Sequence, residues 1–458
     1  MNASQLFQKY TTAGPRYTSY PTVPFWQNEQ FSSQKYQSRL LSTFAKEKQH
    51  GIAVYIHLPY CESLCTFCAC HKRITKNHAV EDVYIDALLL EWAHYVQLLG
   101  EKPTIKELHI GGGTPSFFHP DQIKRLLVGI FALSKEGILT HGSTEYSWEG
   151  HPMNTTEAHL TVFYEAGFRR VSFGVQDYDE TVQKAIHRIQ PFEKVKEVTE
   201  MARRIGYSSI SHDLVFGLPF QTPAGIQKTI ERTLTLAPDR LSFYSYAHVP
   251  WLKGTGQRGF QEADIPVGKE KRHLYDIGLA LFQEAGYQEI GMDHFALTDD
   301  PMLLASKNGT LHRNFMGYTT SQAKVMISLG ASSIGDAWTG FVQNTKDIDL
   351  YIQQVQMGEF PWSKGHIHTE KESQIRKIIL DIMCQWKTNW HAVDWEKTEK
   401  ERIELALEDM QNDGILAQFN GLVRVTEMGK PFLRNICMVF DPSLHQNTKT
   451  EKLFSATI

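Results

Sequence analysis

The sequence lacks a long apolar run and an excess of positive charge. Its most apolar stretch, 83–99, is interrupted by Asp86, Glu91 and His94, so no segment is predicted to span a membrane. The opening MNASQLFQKY contains no basic patch followed by an apolar block, so we predict no secretory signal and a cytoplasmic location. The sequence contains 47 Lys and Arg and 51 Asp and Glu. Because positive charge is not in excess, we predict no broad cationic surface for nucleic acid or anionic lipid. Neither is expected as a partner.

Cysteine is also scarce, with six residues in a chain of 458. That number is too small for a disulfide scaffold in a chain of this length, and Cys61, Cys65, Cys68 and Cys70 lie within ten residues. The clustering predicts reduced thiols with a chemical task.

Short apolar runs alternate with amphipathic stretches from residue 52 onward. The predicted strands are 52–57, 105–110, 144–148, 170–175, 209–216, 240–245 and 288–292. The predicted helices between them are 80–99, 122–133, 156–166, 195–205, 226–236 and 274–285. Repeated strand–helix units predict an α/β fold with a parallel sheet and outer helices, open or closed as a barrel or partial barrel.

The pattern changes near the C-terminus. Thr369 and Glu372 form a capping-box signature before an amphipathic helix, and a second helix is predicted near 399–410. Asn420-Gly421 then joins two short strands, and a last helix is predicted from Met428. We therefore expect an arm at 1–50, a catalytic barrel at 51–365 and a small, mostly helical, winged-helix-like domain at 366–458. The acidic second helix favours packing against the barrel over DNA binding.

The first three cysteines have a spacing with chemical meaning. A loop that supplies Cys61, Cys65 and Cys68 can hold a 4Fe-4S cluster and leave one iron open to a cofactor or substrate. A structural zinc site usually takes four ligands in two separated pairs. An adventitious zinc knuckle or buried free cysteines are the alternatives.

This spacing is that of radical S-adenosylmethionine (SAM) enzymes, and further motifs resemble one family among them, the oxygen-independent coproporphyrinogen III oxidases. The motifs that carry the resemblance are Gly14 to Thr22, Tyr55 to Cys61, Cys70, Gly111 to Pro115, Gly174 to Asp177, Gly217 to Pro219, Gly291 to Phe295, His312 to Thr320 and Arg434 to Met438. They extend over nearly the whole chain.

The resemblance implies a radical SAM partial barrel that decarboxylates two propionates of coproporphyrinogen III to vinyl groups, giving protoporphyrinogen IX for haem biosynthesis. The cofactors would be one 4Fe-4S cluster and two SAM molecules, with a 5′-deoxyadenosyl radical as the reactive species. A flavodoxin or ferredoxin type of electron donor and a monomeric state are expected.

The resemblance also implies roles for individual residues. Cys61, Cys65 and Cys68 would be cluster ligands, and Tyr55, Cys70 and Arg16 are catalytic candidates. Expected contacts to the first SAM are Tyr55, Phe67, Gly112, Glu149 and Ile334. Expected contacts to the second SAM are Gly113, Thr114, Gln176, Arg188, Asp213 and Ala247. Glycines allow a cofactor to approach the backbone, and Arg188 can pair with a carboxylate through two hydrogen bonds.

A few residues depart from the family pattern. Gly150 and His151 follow Glu149 in place of the usual Val-Asp, which leaves Glu145 as a competitor for its role. Ala69 replaces a glycine, and His212 replaces an apolar residue. Among the residues outside the motifs, Cys384 and Cys437 are expected to be packing residues, while His248, His294 and His312 receive no role.

Two further expectations concern the arm and the fourth cysteine. The segment 14–22 is expected to close over the barrel mouth, with Arg16 paired to a carboxylate of substrate or cofactor. Cys70 is expected beside the cluster without ligating it. A haem-binding relative within the superfamily and an iron–sulfur DNA-binding sensor are the alternative functions. The first lacks the Pro15-Arg16-Tyr17 arm, and the second would need a basic helix.

Overall fold

A computed structural model describes residues 3–135, 144–251, 256–446, 453–455 and 457. Twelve strands form one sheet at its centre. In chain order they are β1 (Ile52–Leu58), β2 (Ile105–Gly112), β3 (Glu145–Gly150), β4 (Arg170–Gln176), β5 (Ser209–Phe216), β6 (Arg240–Ser245), β7 (Gln288–Gly291), β8 (His294–Ala296), β9 (Met326–Leu329), β10 (Ile334–Asp336), β11 (Gly340–Asn344) and β12 (Trp362–Ile367).

Their order across the sheet is β12-β11-β10-β9-β1-β2-β3-β4-β5-β6-β8-β7. The seven strands from β9 to β6 are parallel, and antiparallel strands extend the sheet at both sides. β12 and β7 are the two edges, so the sheet is open, and the predicted parallel α/β architecture is confirmed. β12 ends at Ile367, just beyond the domain boundary predicted at residue 365.

One edge differs from the sequence prediction. The alternating pattern predicts that 288–292 continues the parallel series, but β8 lies between β7 and β6 and is antiparallel to both. Only Met292 and Asp293 connect β7 to β8, and a connection that short can join only antiparallel strands. Asp293 adopts a φ of 64°, which turns the chain back.

Strands β2 to β6 place polar and apolar side chains on opposite faces, because successive residues of a strand alternate. The outer face packs against helices through Leu108, Ile110, Tyr146, Trp148, Val171, Phe173, Ile210, Leu241 and Phe243. The inner face is lined by Glu107, His109, Ser147, Glu149, Arg170, Ser172, Ser211, Asp213, Arg240, Ser242 and Tyr244. The inner face therefore supplies the polar groups of the site.

Helices cover the sheet and build the C-terminal region. Their bounds are Ala3–Tyr10, Ser33–Glu47, Val80–Leu99, Pro120–Ala132, Glu157–Glu165, Glu180–Ala185, Phe192–Ile205, Pro223–Thr235, Gly268–Glu284, Pro301–Lys307, Ile348–Gln356, Glu370–Gln385, Lys397–Asn412, Leu433–Val439 and Ser443–Gln446. No helix within the described ranges is long and apolar enough to cross a membrane.

The helix Ser33–Glu47 is not predicted from the sequence, because the first 50 residues show little periodicity. Its buried residues, Tyr36, Leu40 and Phe44, recur every fourth position, and the side chain of Ser32 caps its first turn. This is an amphipathic helix with a narrow apolar stripe. The sequence therefore contains a helical apolar pattern, but only three residues form it and their neighbours are polar.

The C-terminal region has the predicted helices and hairpin. Leu416–Phe419 and Leu422–Val425 pair, and Lys387–Asn389 adds a third strand. Further short strands lie outside both sheets, at Tyr60–Cys61, Arg73–Ile74, His312–Asn314 and Gly317–Thr319. Tyr17 and Tyr20 of the arm are buried in the same apolar cluster as Cys384 and Cys437. Both cysteines are packing residues, as predicted.

Candidate active site

The cysteine loop begins where β1 ends. Tyr60–Cys61 pairs in parallel with Arg73–Ile74, and Thr75 N donates to Cys61 O at 2.9 Å, so both ends of the loop are held together. Cys61 is buried, with Sγ 3.2 Å from Thr114 Oγ1. Cys65 and Cys68 are partly exposed. The loop therefore presents its thiols at the carboxyl end of a central parallel strand.

A cavity of about 270 Å³ lies between this loop and the carboxyl ends of β2 to β6. Most of the predicted site residues line it. They are Cys61, Cys65, Phe67, Cys68, Cys70, Gly112, Gly113, Thr114, Glu149, Gln176, Arg188 and Asp213. Because α/β barrels concentrate their functional groups at this end of the strands, the cavity is the candidate active site.

The other predicted residues lie outside the cavity wall. Ile334 is buried with Trp26 and Phe341. The carbonyl of Ala247 accepts from Gln257 Nε2 at 2.7 Å, and the same nitrogen donates to Phe67 O at 3.3 Å. Arg16 forms an ion pair with Asp293, in the turn between β7 and β8. Its partner in the structure is thus a carboxylate of the chain itself.

Tyr55 belongs to a hydrogen-bonded chain beneath the cavity. His57 Nε2 lies 3.1 Å from the carbonyl of His71, so this nitrogen carries the proton and Nδ1 is an acceptor. Burial lowers the pKa of His57 to about 4, which keeps the ring neutral. Tyr55 Oη therefore donates to His57 Nδ1, at 3.0 Å. The Tyr55 ring also stacks on His109.

Glu149 and its competitor Glu145 occupy different environments. Glu149 lines the cavity and accepts from His109 Nε2 and Gly112 N, each at 3.2 Å. Burial opposes its ionisation, but these hydrogen bonds outweigh burial and lower the pKa of the carboxyl. Glu145 is paired with Arg170 and lies outside the cavity wall. Of the two carboxylates, Glu149 is the one that lines the cavity.

Arg188 and Asp213 bring opposite charges to the cavity. Arg188 Nη1 lies 3.7 Å from Cys65 Sγ, and Nη2 donates to Gly174 O at 2.6 Å. Its Nε is buried and has no hydrogen-bond partner among the described residues. Burial raises the pKa of Asp213 to about 6. A ligand with both ammonium and carboxylate groups suits this pair.

The glycine run also makes room for other groups of the protein. A Cβ on Gly111 would lie 2.8 Å from the Glu149 carboxylate, and one on Gly113 would lie 2.8 Å from the backbone of Pro59. The absent side chains thus make room for Glu149 and for the chain that leads into Cys61. The run is needed for packing of the protein's own groups, before any cofactor is considered.

The donor set fits a 4Fe-4S cluster. Three thiols of one loop face one cavity, and Lys72 Nζ donates to the carbonyls of Cys68 and Cys70 at 3.2 Å each. In the described ranges, no three His, Cys, Asp or Glu side chains converge on a position for a single metal ion. Cubane ligation needs no such convergence, because each thiolate binds a different iron.

Three histidines of the site are not predicted from the sequence. His57 accepts the hydrogen bond from Tyr55, His109 bridges Ser147 Oγ at 2.8 Å and Glu149, and His151 lines the cavity. His109 could have been found, since it alternates with apolar residues on a predicted strand. His212 lies on the opposite, helix-facing side of its strand, with Nε2 3.0 Å from Thr199 Oγ1.

The histidines left without a role lie outside the wall of this cavity. His294 Nδ1 donates to Met292 O at 2.7 Å, and its Nε2 is 3.4 Å from Tyr244 Oη. His248 Nδ1 lies 3.0 Å from Tyr246 Oη, and His312 packs beside Trp338. Each has a local partner that accounts for its position.

Comparisons with known proteins agree with this geometry. Residues 55–233 match the radical SAM superfamily. The chain is 36% identical to the oxygen-independent coproporphyrinogen III oxidase of Helicobacter pylori (strain ATCC 700392 / 26695), over 99% of this chain and 98% of that protein. Identity to the Escherichia coli (strain K12) protein of the same name is 34%, with the same shares covered.

A solved structure extends the likeness to the fold. The coproporphyrinogen III oxidase (HemN) from Escherichia coli, described as a radical SAM enzyme, superimposes with a TM-score of 0.86 at 32% identity, over 96% of this chain and 98% of the other. Sequence, fold and the cysteine-lined cavity point to the same conclusion. The chain belongs to the oxygen-independent coproporphyrinogen III oxidase family of radical SAM enzymes.

Proposed function

We propose that this chain carries out the reaction of its family, the oxidative decarboxylation of two propionates of coproporphyrinogen III to vinyl groups, giving protoporphyrinogen IX. The observation that carries the proposal is the meeting of Cys61, Cys65 and Cys68 with polar strand ends in one cavity. The reaction serves haem biosynthesis and needs no oxygen.

The protein's part is to hold and orient the cofactors. Cys61, Cys65 and Cys68 are the proposed cluster ligands, and Thr114 Oγ1, 3.2 Å from Cys61 Sγ, stabilises the first of them. When bound, the reduced cluster and SAM together supply the 5′-deoxyadenosyl radical that removes hydrogen from a propionate.

Two SAM molecules are proposed to share the cavity. For the first, we assign Tyr55, Phe67, Gly112, Glu149 and Ile334. For the second, we assign Gly113, Thr114, Gln176, Arg188, Asp213 and Ala247. The unpartnered Nε of Arg188 and the Glu149 and Asp213 carboxylates support these assignments, because they offer the charges that a methionine carboxylate and ammonium require. Tyr55 and Ile334 would act from behind the wall.

Cys70 and Arg16 are proposed to act near the substrate. Cys70 lies exposed on the wall beside Cys68 and is free to contact a propionate. Arg16 lies with Phe216 and Ser245 at the carboxyl ends of β5 and β6. Removing the arm would also remove Tyr17 and Tyr20 from a buried cluster, so point substitutions test Arg16 more directly than a deletion.

A monomer, a small electron-carrier protein and a reducing compartment complete the proposal. The exposed Cys70 brings the loop to the surface, where a flavodoxin or ferredoxin type of donor can approach. Six free cysteines suit the cytoplasm.

The proposal is tested by anaerobic reconstitution with iron and sulfide, followed by incubation with coproporphyrinogen III, SAM and a low-potential reductant. Chromatography after oxidation should show protoporphyrin IX. The Cys65→Ser variant is the matched control and should give none. Absence of protoporphyrin from the wild-type reaction, with a full cluster present, would contradict the proposed function.

A further inference from the structure

A second cavity, of about 70 Å³, lies between the arm, the turn after β7, the helix Gly268–Glu284 and the C-terminal region. We name it the arm pocket. Its charged wall consists of Arg16, Lys271, Arg272, Lys430 and Arg434 with Glu289 and Asp293. Positive groups outnumber negative ones, and burial raises the pKa of Glu289 to about 7, which reduces its negative charge.

Lys271 lacks a counter-ion. Its stem packs against Gly217, and Nζ donates to the backbone carbonyl of Tyr246 at 2.8 Å. Within the part of the chain that the structure describes, no carboxylate lies close enough to Lys271 to form an ion pair. A partly buried ammonium without a counter-ion is costly, so the site favours an incoming anion.

Arg272 gives an independent indication. One of its terminal nitrogens pairs with Asp276 at 2.6 Å, and its guanidinium lies over the rings of Phe7 and Tyr275. Its Nε is buried and has no hydrogen-bond partner among the described residues. Two adjacent residues of one helix thus line the pocket: Lys271, a cation without a counter-ion, and Arg272, whose Nε is an unused donor.

The arm pocket lies across the end of β6 from the cysteine-lined cavity. Tyr244, on the inner face of β6, lines that cavity, whereas Ser245, the last residue of β6, lines the arm pocket from the opposite face, so a ligand shared by both passes around the end of this strand. The Tyr244 hydroxyl lies in the electrostatic field of both Asp213 and the Arg16–Asp293 pair. A ligand that reaches SAM could therefore extend a second anionic group into the arm pocket.

We propose that the arm pocket binds a carboxylate of the substrate that is not reacting, with Lys271 as its counter-ion and Arg272 Nε as an added donor. This inference rests on the proposed function, because a tetrapyrrole with several propionates places the remaining ones away from the reacting one. Lys271 thereby fixes which propionate faces SAM. Its loss weakens substrate binding and leaves the cofactor cavity intact.

The test compares Lys271→Met with Lys269→Met, an exposed lysine of the same helix outside the pocket. We expect the KM for coproporphyrinogen III to rise at least tenfold in Lys271→Met, with unchanged iron content and little change in kcat. Lys269→Met should behave as wild type. Lys271→Arg, which keeps the charge, should recover most of the affinity, and Lys271→Gln is a second neutral variant should Lys271→Met lose its cluster.

A binding measurement separates this inference from the proposed function. Holoenzyme is titrated with coproporphyrin III and with its tetramethyl ester, using quenching of tryptophan fluorescence. Lys271→Met should weaken binding of the acid at least tenfold and leave binding of the ester unchanged. Equal affinities of wild type and Lys271→Met for the acid, or equal losses for acid and ester, overturn the inference. Failure of wild type to form protoporphyrin overturns only the proposed function.

Discussion

The Nη1 atom of Arg188 lies 3.7 Å from Cys65 Sγ while Nη2 donates to Gly174 O, so one side chain joins the cysteine loop to the end of β4. Arg188 also lines the cavity assigned to SAM, and its buried Nε has no hydrogen-bond partner among the described residues. This position allows Arg188 to bind a carboxylate without disturbing the loop.

We therefore expect Arg188→Met to lose one of two bound SAM molecules. A charge-assisted hydrogen bond contributes about 1.5–3 kcal/mol, so the affinity of that site should fall about ten- to hundredfold. Equilibrium dialysis with labelled SAM on reconstituted protein measures the stoichiometry. Arg204→Met, an exposed arginine of the helix Phe192–Ile205, is the control. Two sites of undiminished affinity in Arg188→Met would refute the assignment.

Cys70 should be dispensable for the cluster. It lies two positions beyond Cys68, on the exposed side of the loop, and a fourth thiolate would close the iron position that SAM requires. Cys70→Ser should keep its iron, sulfide and visible absorption while turnover falls, whereas serine at Cys61, Cys65 or Cys68 should lose the cluster. Iron and sulfide analysis of the four variants decides it. If Cys70→Ser lost as much iron and sulfide as Cys65→Ser, Cys70 would be a cluster ligand.

Gly113→Ala should damage the cluster site indirectly. The added Cβ would lie 2.8–2.9 Å from backbone atoms of Pro59 and Tyr60, which cannot move without displacing Cys61. We expect a several-fold lower iron content after reconstitution. Gly225→Ala, where the nearest atom is the side-chain oxygen of Thr222 at 3.1 Å, serves as the control. Full iron content in Gly113→Ala would show that the strand end can shift freely.

The arm pocket should give coproporphyrin binding a pH dependence. Burial, with Arg16 and Arg434 nearby, lowers the pKa of Lys271 to about 8, and Asp293 opposes this. Lys271 is charged below that pH and neutral above it, so affinity for the tetracarboxylate should fall as pH rises through about 8. Glu289, which also lines the pocket, ionises at about pH 7 and weakens binding in the same direction.

The variant Lys271→Arg separates the two groups, because its charge persists at high pH while Glu289 still titrates. We expect its affinity for coproporphyrin III to change only near pH 7. Arg272 and Lys430 complete the charged wall. A fall near pH 8 in Lys271→Arg equal to that of wild type would assign the effect to another group.

The parallel sheet could be predicted because its strands are short apolar or alternating runs separated by helices. Periodicity fails as a guide where the local signal is sparse. The apolar stripe of Ser33–Glu47 consists of only three residues. The strand β8 is short, and a two-residue turn that includes Asp293 reverses the chain before it. In such segments tertiary packing decides the structure.

Most of the proposed cofactor residues could be placed by motif, since they follow consecutive strands and meet at one end of the sheet, whereas Tyr55, Ala247 and Ile334 lie outside the cavity wall. The arm pocket could not be predicted in this way. Arg16, Asp293 and Arg434 lie in three separate motifs and Lys271 lies in none, so no sequence pattern brings these four residues together. The reason for the glycines was likewise hidden, because the atoms that need the room belong to Glu149 and Pro59.

Radical SAM chemistry is proposed to remove both propionate carboxyl groups, and its products can be counted together. One anaerobic reaction of reduced enzyme with SAM, an electron acceptor and coproporphyrinogen III is assayed for 5′-deoxyadenosine, carbon dioxide and protoporphyrinogen IX. We predict one 5′-deoxyadenosine and one carbon dioxide for each propionate converted, and none of the three products from Cys61→Ser. Formation of protoporphyrinogen IX without 5′-deoxyadenosine, or SAM cleavage with no loss of carbon dioxide, would contradict this mechanism.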